Sequence, residues 1–345
     1  MRSKVLHIGQ CDKFIPPFIQ FIKEQFSFEQ HDFMLTSSIA DEELINDKNI
    51  FLSKKNLFSR FKYYFQVISK MHQADKVILH GLFDIKLLQI LLFTPWLLNK
   101  CYWVIWGGDL YTYESGKQDR KWKRNEFFRR IIIKRLGHLV TYLEGDLDRA
   151  RKWYGAKGTY HECFMYTSNL YKKYDLPENK DKKINIQIRN SASESNNHIE
   201  VLEKLLPYKD RNICIYVPLS YSSKEHAEKV IKVGKEWFGD KFKPLTTLMH
   251  FDDYLSFLSS IDIAFFNHRR QQGMGNTITL LGLGKTVYIR KETSQWEFFK
   301  GKGIKVGNIE SFNSLDLSNP NENVDIIKEY FSYNNYVSQI EKLLR

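Results

Sequence analysis

Short apolar runs in this chain alternate with longer segments in which apolar residues recur every three or four positions. In the first half the runs predict strands over 5–8, 33–35, 76–79, 103–105 and 139–142. The periodic segments predict helices near 15–26, 57–73, 84–99 and 120–136. Strands alternating with helices of this length build right-handed βαβ units around a parallel sheet. A polar stretch over 171–183 reads as a linker. Beyond it the theme repeats, with strands over 184–189, 213–217, 245–248, 261–266, 286–289 and 304–306. Helices are expected near 196–206, 223–238, 252–259 and 277–283. The expected class is therefore α/β, with one Rossmann-like domain over 1–170, a second over 184–322, and terminal helices over 323–345. Doubly wound sheets bind ligands at the carboxyl ends of their strands, and a cleft between two such domains is the expected site.

Two strand-to-helix turns of the second half carry the most chemistry. One is Arg269-Arg270-Gln271-Gln272-Gly273-Met274-Gly275-Asn276-Thr277, between the strand over 261–266 and an apolar helix. Glycines at such a point let backbone approach a ligand, and the N–H groups of the helix start can face an anion. Alone, the glycines need make no more than a tight turn. The Arg and Gln pairs and Asn276-Thr277 beside them favour a phosphate or sugar-phosphate site. The other turn runs from Arg189 and Asn190 through Ser191, Ser195 and Asn196 to His198. Its Ser and Asn side chains can cap the next helix or bind a phosphate. Two such turns in one domain suit a diphosphate held between them.

In the first half, the strand over 103–105 runs into Trp106-Gly107-Gly108-Asp109-Leu110-Tyr111. Asp109 at a strand end can serve as a general base, or as a helix cap or turn residue. His80-Gly81 ends the preceding strand at the same height, where a histidine can orient substrate, act as base, or simply be hydrogen-bonded. Asp146-Leu147-Asp148 looks superficially like a metal-binding D-x-D, yet Asp146 sits where a cap of the helix over 147–154 belongs. No metal is assigned. Zinc-hydrolase, serine-hydrolase and P-loop motifs are absent from the sequence.

Composition narrows the class. Hydrophobic residues at 43% and charged residues at 27% mark a globular chain of 345 residues, long enough for two cores. A net charge of +12 calls for an acidic partner: nucleic acid, anionic lipid or a phosphorylated substrate. No helix-turn-helix or RNA-binding pattern accompanies that charge, so nucleic acid is not expected. The basic amphipathic stretch from Lys117 to Arg135 can lie on an anionic membrane surface or pack as an ordinary helix with a solvated face. The four cysteines are scattered, which suits a reducing compartment. The N-terminus reads as a strand rather than a signal peptide, and the apolar stretch around 87–98 is too short to span a bilayer. A cytoplasmic protein is expected.

IWGGDLY, RNSASESNNHIE, VPLSYSS and RRQQGMGNTITLL together resemble the family of the 4-acetamido-4,6-dideoxygalactosyltransferase of enterobacterial common antigen synthesis. The resemblance runs from about His80 to Trp296. It implies a GT-B fold and transfer of a 4-acetamido-4,6-dideoxyhexose from a dTDP-sugar to an undecaprenyl-diphosphate-linked glycan. Such an enzyme would work without metal or cofactor, as a peripheral protein on the inner face of the cytoplasmic membrane. On this chain it implies donor contacts at Arg189, Asn190, Ser191, Ser195, Asn196, Tyr216, Pro218, Arg269, Gln271, Gln272, Gly273, Gly275, Asn276 and Thr277. Acceptor contacts fall at Gly81, Trp106, Gly107, Gly108 and Tyr111, with Asp109 and then His80 as candidate bases. A GT-B transferase using a UDP- or GDP-sugar, and a non-catalytic sugar-nucleotide-binding module, stay open.

Overall fold

The structure, a computed structural model, describes residues 4–37, 47–53, 56–114, 118–173, 183–189, 191–317 and 321–345. Asn190, Lys117 and most of the expected linker lie outside the described residues. The chain divides into two compact units, Met1–Ser168 with Asn334–Arg345, and Asn169–Tyr333.

The first unit is built on a parallel sheet of β1 (Val5–Cys11), β2 (His31–Ser37), β3 (Ile50–Ser53), β4 (Lys76–His80), β5 (Cys101–Val104), β6 (His138–Val140) and β7 (Thr159–His161). Its helices are α1 (Ile15–Gln25), α2 (Leu57–Gln73), α3 (Ile85–Phe93), the single turn α4 (Gly107–Leu110), α5 (Arg120–Ile133) and α6 (Glu144–Tyr154). Local chemistry sets the helix starts. Asn56, Asp84 and Asp119 accept backbone N–H groups at the first turns of α2, α3 and α5. Leu6, Ile8, Leu79 and Trp103 meet Val67, Leu91 and Ile132 in one core. On the opposite side of β1, His7 packs against Phe18 of α1 and Phe33 of β2.

The strand order is β3-β2-β1-β4-β5-β6-β7. The chain winds outward from β1 to β3, then returns to the other side of β1, so the order reverses between β1 and β4. Brief β3 and β7 escape the sequence pattern because three or four residues are too few to show alternation. The expected terminal helices separate: α12 (Asn321–Tyr330) belongs to the second unit and α13 (Tyr333–Leu344) essentially to the first. Tyr336 of α13 donates to the Met165 carbonyl at 2.8 Å, and Gln339 accepts the Phe164 N–H at 3.1 Å.

The second unit has β8 (Ile184–Ile188), β9 (Ile213–Pro218), β10 (Phe242–Leu245), β11 (Ile263–Phe266), β12 (Thr286–Ile289) and β13 (Gly307–Asn308), all pairing in parallel. Between them run α7 (His198–Leu205), α8 (Lys224–Phe238), α9 (Phe251–Ser260), α10 (Met274–Gly282) and α11 (Ser294–Gly301). The order β10-β9-β8-β11-β12-β13 reverses between β8 and β11. The strand expected over 245–248 instead ends at Leu245, and Leu248 is exposed. The buried residue that anchors β10 is Phe242, upstream of the apolar run. The last strand also shifts, to Gly307, where a Cβ would meet the Tyr288 ring at 2.3 Å.

Candidate functional site

At the reversal point of the second unit, the turns following β8 and β11 are stitched together. Asn197 donates to the Asn267 carbonyl at 2.9 Å, and Asn267 donates back to the Asn197 carbonyl at 3.2 Å. Asn196 holds the Ser191 carbonyl at 2.6 Å and accepts from the Gln272 amide at 3.4 Å. Arg189 enters the first turn in the left-handed region, at φ 69°, with its side chain fully buried. Its Nε donates to the Asn196 carbonyl at 3.0 Å and its Nη1 to His268 Nδ1. A guanidinium can only donate, so His268 accepts at Nδ1 and carries its hydrogen on Nε2. That hydrogen goes to Gln295 Oε1, and Gln295 in turn donates to the Gln272 carbonyl at 3.0 Å.

This cluster is positive and short of anions. No carboxylate among the described residues pairs with Arg189, and its Nη2 is buried without a hydrogen-bond partner. Burial pushes its pKa well down, and the nearby Arg270 and Arg290 push the same way. Burial, then Arg189, likewise holds His268 well below the usual imidazole range. His198, buried beside them, is lowered to about 3, chiefly by burial and then by Arg189. Helix α10 begins here: Gly273 caps it at φ 70°, and the first intrahelical bond is Thr277 N–H to the Gly273 carbonyl at 3.1 Å. The N–H groups of Met274, Gly275 and Asn276 precede that bond. Arg290 is already paired with Glu200, at 2.5 Å, so it is Arg189, a buried guanidinium without a carboxylate among the described residues and beside a helix N-terminus, that can hold an added anion.

The structure gathers Arg189, Ser191, Asn196, Gln272, Gly273, Gly275, Asn276 and Thr277 into these two turns. Arg269 is exposed, Ser195 is exposed and bonded to Ser193, and Gln271 is half-buried. Tyr216 and Pro218 stand one strand away on β9, where Tyr216 packs on Phe257 of α9. Asn190 lies outside the described residues. Asn267, His268 and Gln295 escaped the sequence reading, although His268 directly precedes the Arg pair, and His198 was read only as the end of the first turn.

The first unit brings its candidates to its own reversal point. His80, at the end of β4, faces Gly9 of β1, where a Cβ would come within 2.8 Å of the His80 Cβ. His80 Nε2 lies 3.1 Å from His7 Nδ1, and His7 Nε2 lies 3.0 Å from His31 Nδ1. His80 Nδ1 meets the Tyr166 hydroxyl, which also receives the Trp106 indole N–H. Burial lowers His80 to about 3 and His31 to about 4. None of His7, His31 and Tyr166 was legible as a site residue, because a histidine inside an apolar strand looks like ordinary core.

Asp109 is fully buried and saturated. One oxygen accepts the Leu82 N–H at 2.8 Å and the Trp103 indole N–H at 2.7 Å. The other accepts the N–H groups of Trp106 at 2.9 Å and Leu110 at 2.7 Å. Burial raises its pKa against the opposing pull of these donors. A carboxylate so placed fixes the Gly107-Gly108 turn and has no lone pair aimed at a substrate, contrary to the expectation of a general base. Gly81 sits at φ 80° with Asp109 Oδ2 3.5 Å from the place its Cβ would take. Gly107 is buried and Gly108 exposed. Tyr111 is turned inward, its hydroxyl donating to Asp146 at 3.0 Å. Asp146 therefore does not cap a helix as expected: it lies inside the first turn of α6, buried, while Asp148 is exposed. On α5, Arg129 is also buried, holding the Leu82 carbonyl at 2.8 Å and the Thr112 hydroxyl at 2.9 Å.

The sequence profile of the 4-alpha-L-fucosyltransferases, glycosyl transferase group 56, matches residues 17–318. The chain belongs to this glycosyltransferase family. Its fold is GT-B, and solved structures of low identity share it. A sucrose-phosphate synthase from Thermosynechococcus elongatus superposes with a TM-score of 0.67 at 10% identity, over 99% of this chain and 98% of that one. HepE of Anabaena, in complex with UDP and glucose, gives 0.70 at 10% identity over 99% of each chain. WaaG, a glycosyltransferase involved in lipopolysaccharide biosynthesis, gives 0.59 at 12% identity over 99% and 98%. At these identities the likeness speaks for the group 56 chain's fold alone. No helix among the described residues is long and apolar enough to cross a membrane.

Proposed function

We propose that this glycosyltransferase moves a 4-acetamido-4,6-dideoxyhexose, or a similar deoxy-amino sugar, from a dTDP-sugar to an undecaprenyl-diphosphate-linked glycan in surface polysaccharide synthesis. The observation that carries the donor half is Arg189, a buried guanidinium with no carboxylate partner among the described residues. A diphosphate supplies the missing anion, with Gln272, Asn276 and the start of α10 as further donors. As the sugar–phosphate bond breaks, charge grows on the departing diphosphate, and fixed donors stabilise it without any metal. The sugar and lipid classes rest on the resemblance of IWGGDLY and RRQQGMG to the dideoxygalactosyltransferase. The first unit, with Trp106, Gly107, Gly108 and Gly81, is proposed to take the acceptor. Asp109 and His80 serve there as positioning residues: Asp109 holds the Gly-Gly turn, and His80 holds Tyr166, which receives Trp106.

Thermal shift with dTDP, UDP and GDP tests the donor, because a ligand that binds only the folded state raises its melting temperature. The dTDP shift should be the largest, and radiolabelled sugar should then pass from the dTDP donor to lipid-linked acceptor. A preference for UDP or GDP would replace the donor. Nucleotide binding without transfer to any lipid-linked acceptor would leave a binding module.

A further inference from the structure

Helix α2 carries two apolar faces. Tyr63, Val67 and Met71 are buried in the core of the first unit. Leu57, Phe58, Phe61 and Phe65 form the other face and are 84%, 81%, 76% and 68% exposed. At 3.6 residues per turn these four fall within an arc of about 100°. Single exposed apolar side chains are ordinary, but a contiguous row of three phenylalanines and a leucine marks a surface built to be covered.

The row continues at the other end of the helix. Trp96 donates its indole N–H to His72 Nε2 at 3.1 Å and is itself 62% exposed, while Phe93, which ends α3, is 76% exposed. An indole with its body in solvent and its N–H fixed on the protein suits a boundary between apolar and polar surroundings.

Charge chooses the occupant. The ionisable groups of α2 are Arg60, Lys62, Lys70 and His72 beside the tyrosines, with no Asp or Glu, and Lys54 and Lys55 precede the helix in sequence. Lys70 is paired with Asp32, whereas Lys62 is exposed next to Phe61. A second copy of this chain would bring the same basic face against itself, on a molecule whose net charge is already +12.

We propose that the outer face of α2, with Phe93 and Trp96, docks the first unit on an anionic lipid bilayer. The helix lies along the surface with Phe58, Phe61 and Phe65 in the acyl boundary and the exposed Lys62 at headgroup phosphates. The proposal involves neither α5 nor the sugar-transfer reading, and it stands if that reading fails.

The test uses the full-length chain with vesicles of phosphatidylcholine, alone or with phosphatidylglycerol. Sedimentation should require phosphatidylglycerol and weaken with salt. Combining Phe58→Ser, Phe61→Ser and Phe65→Ser should lower the partition coefficient by about tenfold per phenylalanine, since each forfeits most of a buried aromatic side chain. Circular dichroism and the melting temperature should stay unchanged, because these side chains contribute little to the core. A second arm is independent of that variant. The four native cysteines are buried, so Phe61→Cys can be labelled selectively with an environment-sensitive dye. Its emission should shift to the blue on adding the anionic vesicles, and the same dye at Lys229→Cys, exposed on α8, should not respond. The proposal is overturned if the serine variant sediments like the parent and the label at position 61 is silent. It is equally overturned if the parent forms a lipid-free dimer that the serine variant abolishes.

Discussion

His80 Nδ1 lies 2.8 Å from the Tyr166 hydroxyl, and the Trp106 indole N–H reaches the same oxygen at 3.0 Å. An indole can only donate, so the hydroxyl accepts from Trp106, which leaves its own hydrogen for His80 Nδ1 in the tautomer that accepts there. With that tautomer, His80 Nε2–H donates to His7 Nδ1, and His7 Nε2–H to His31 Nδ1. One polarity thus serves every link of the chain while all three imidazoles stay neutral.

Acid should therefore loosen the first unit. The folded-state pKa values, about 3 for His80 and about 4 for His31, lie below the unfolded value of 6.5. The unfolded chain binds protons that the folded chain refuses, so stability is full above pH 6.5 and drains away as the pH falls toward 4. Each buried histidine should contribute a slope of about 1.4 kcal/mol per pH unit in that window. Urea unfolding across the window should show this slope, and His31→Gln should flatten it by about one proton. A stability independent of pH there would rule out neutral, buried histidines.

Arg189→Met tests the anion site. The variant removes an uncompensated buried charge but keeps much of the side-chain volume. Affinity for a nucleoside diphosphate should fall about tenfold or more, the usual worth of a charge-assisted contact. Calorimetry on a folded variant decides it: unchanged affinity would remove Arg189 from the donor site.

Asp109→Asn should act on stability first. The amide keeps one acceptor oxygen and turns an NH2 toward two of the four present donors. Each donor left without an acceptor costs about 1–3 kcal/mol, so the melting temperature should drop by several degrees. Near-wild-type stability with transfer lost would instead restore Asp109 as a candidate base.

On α5, reversing Lys121, Lys123 and Arg124, which are exposed, should leave the fold intact and reveal whether this helix adds to binding of anionic vesicles. Arg129→Glu should unfold the region, since Arg129 bridges the Leu82 carbonyl and the Thr112 hydroxyl from a buried position. Circular dichroism of the two variants separates surface from scaffold.

The sequence by itself determined the alternation of strands and helices, the parallel α/β class, and the two turns whose Arg, Asn, Gln and Gly content marked them for an anion. Those features are local: period and turn chemistry are written in neighbouring residues. Only the tertiary structure decided which strand ends meet, because a reversal of strand order places β4 beside β1 and β11 beside β8. That placement puts His268 on Arg189 and links His31, His7, His80 and Tyr166, partners far apart in the chain. It also supplied what bears on the two readings of Asp109, since a carboxylate's role depends on how many donors already occupy its oxygens, and those come from residues 82, 103, 106 and 110. The outward row on α2 was hidden for the same reason: apolar periodicity reports which residues favour burial, while the side of the helix left uncovered is set by what packs against it.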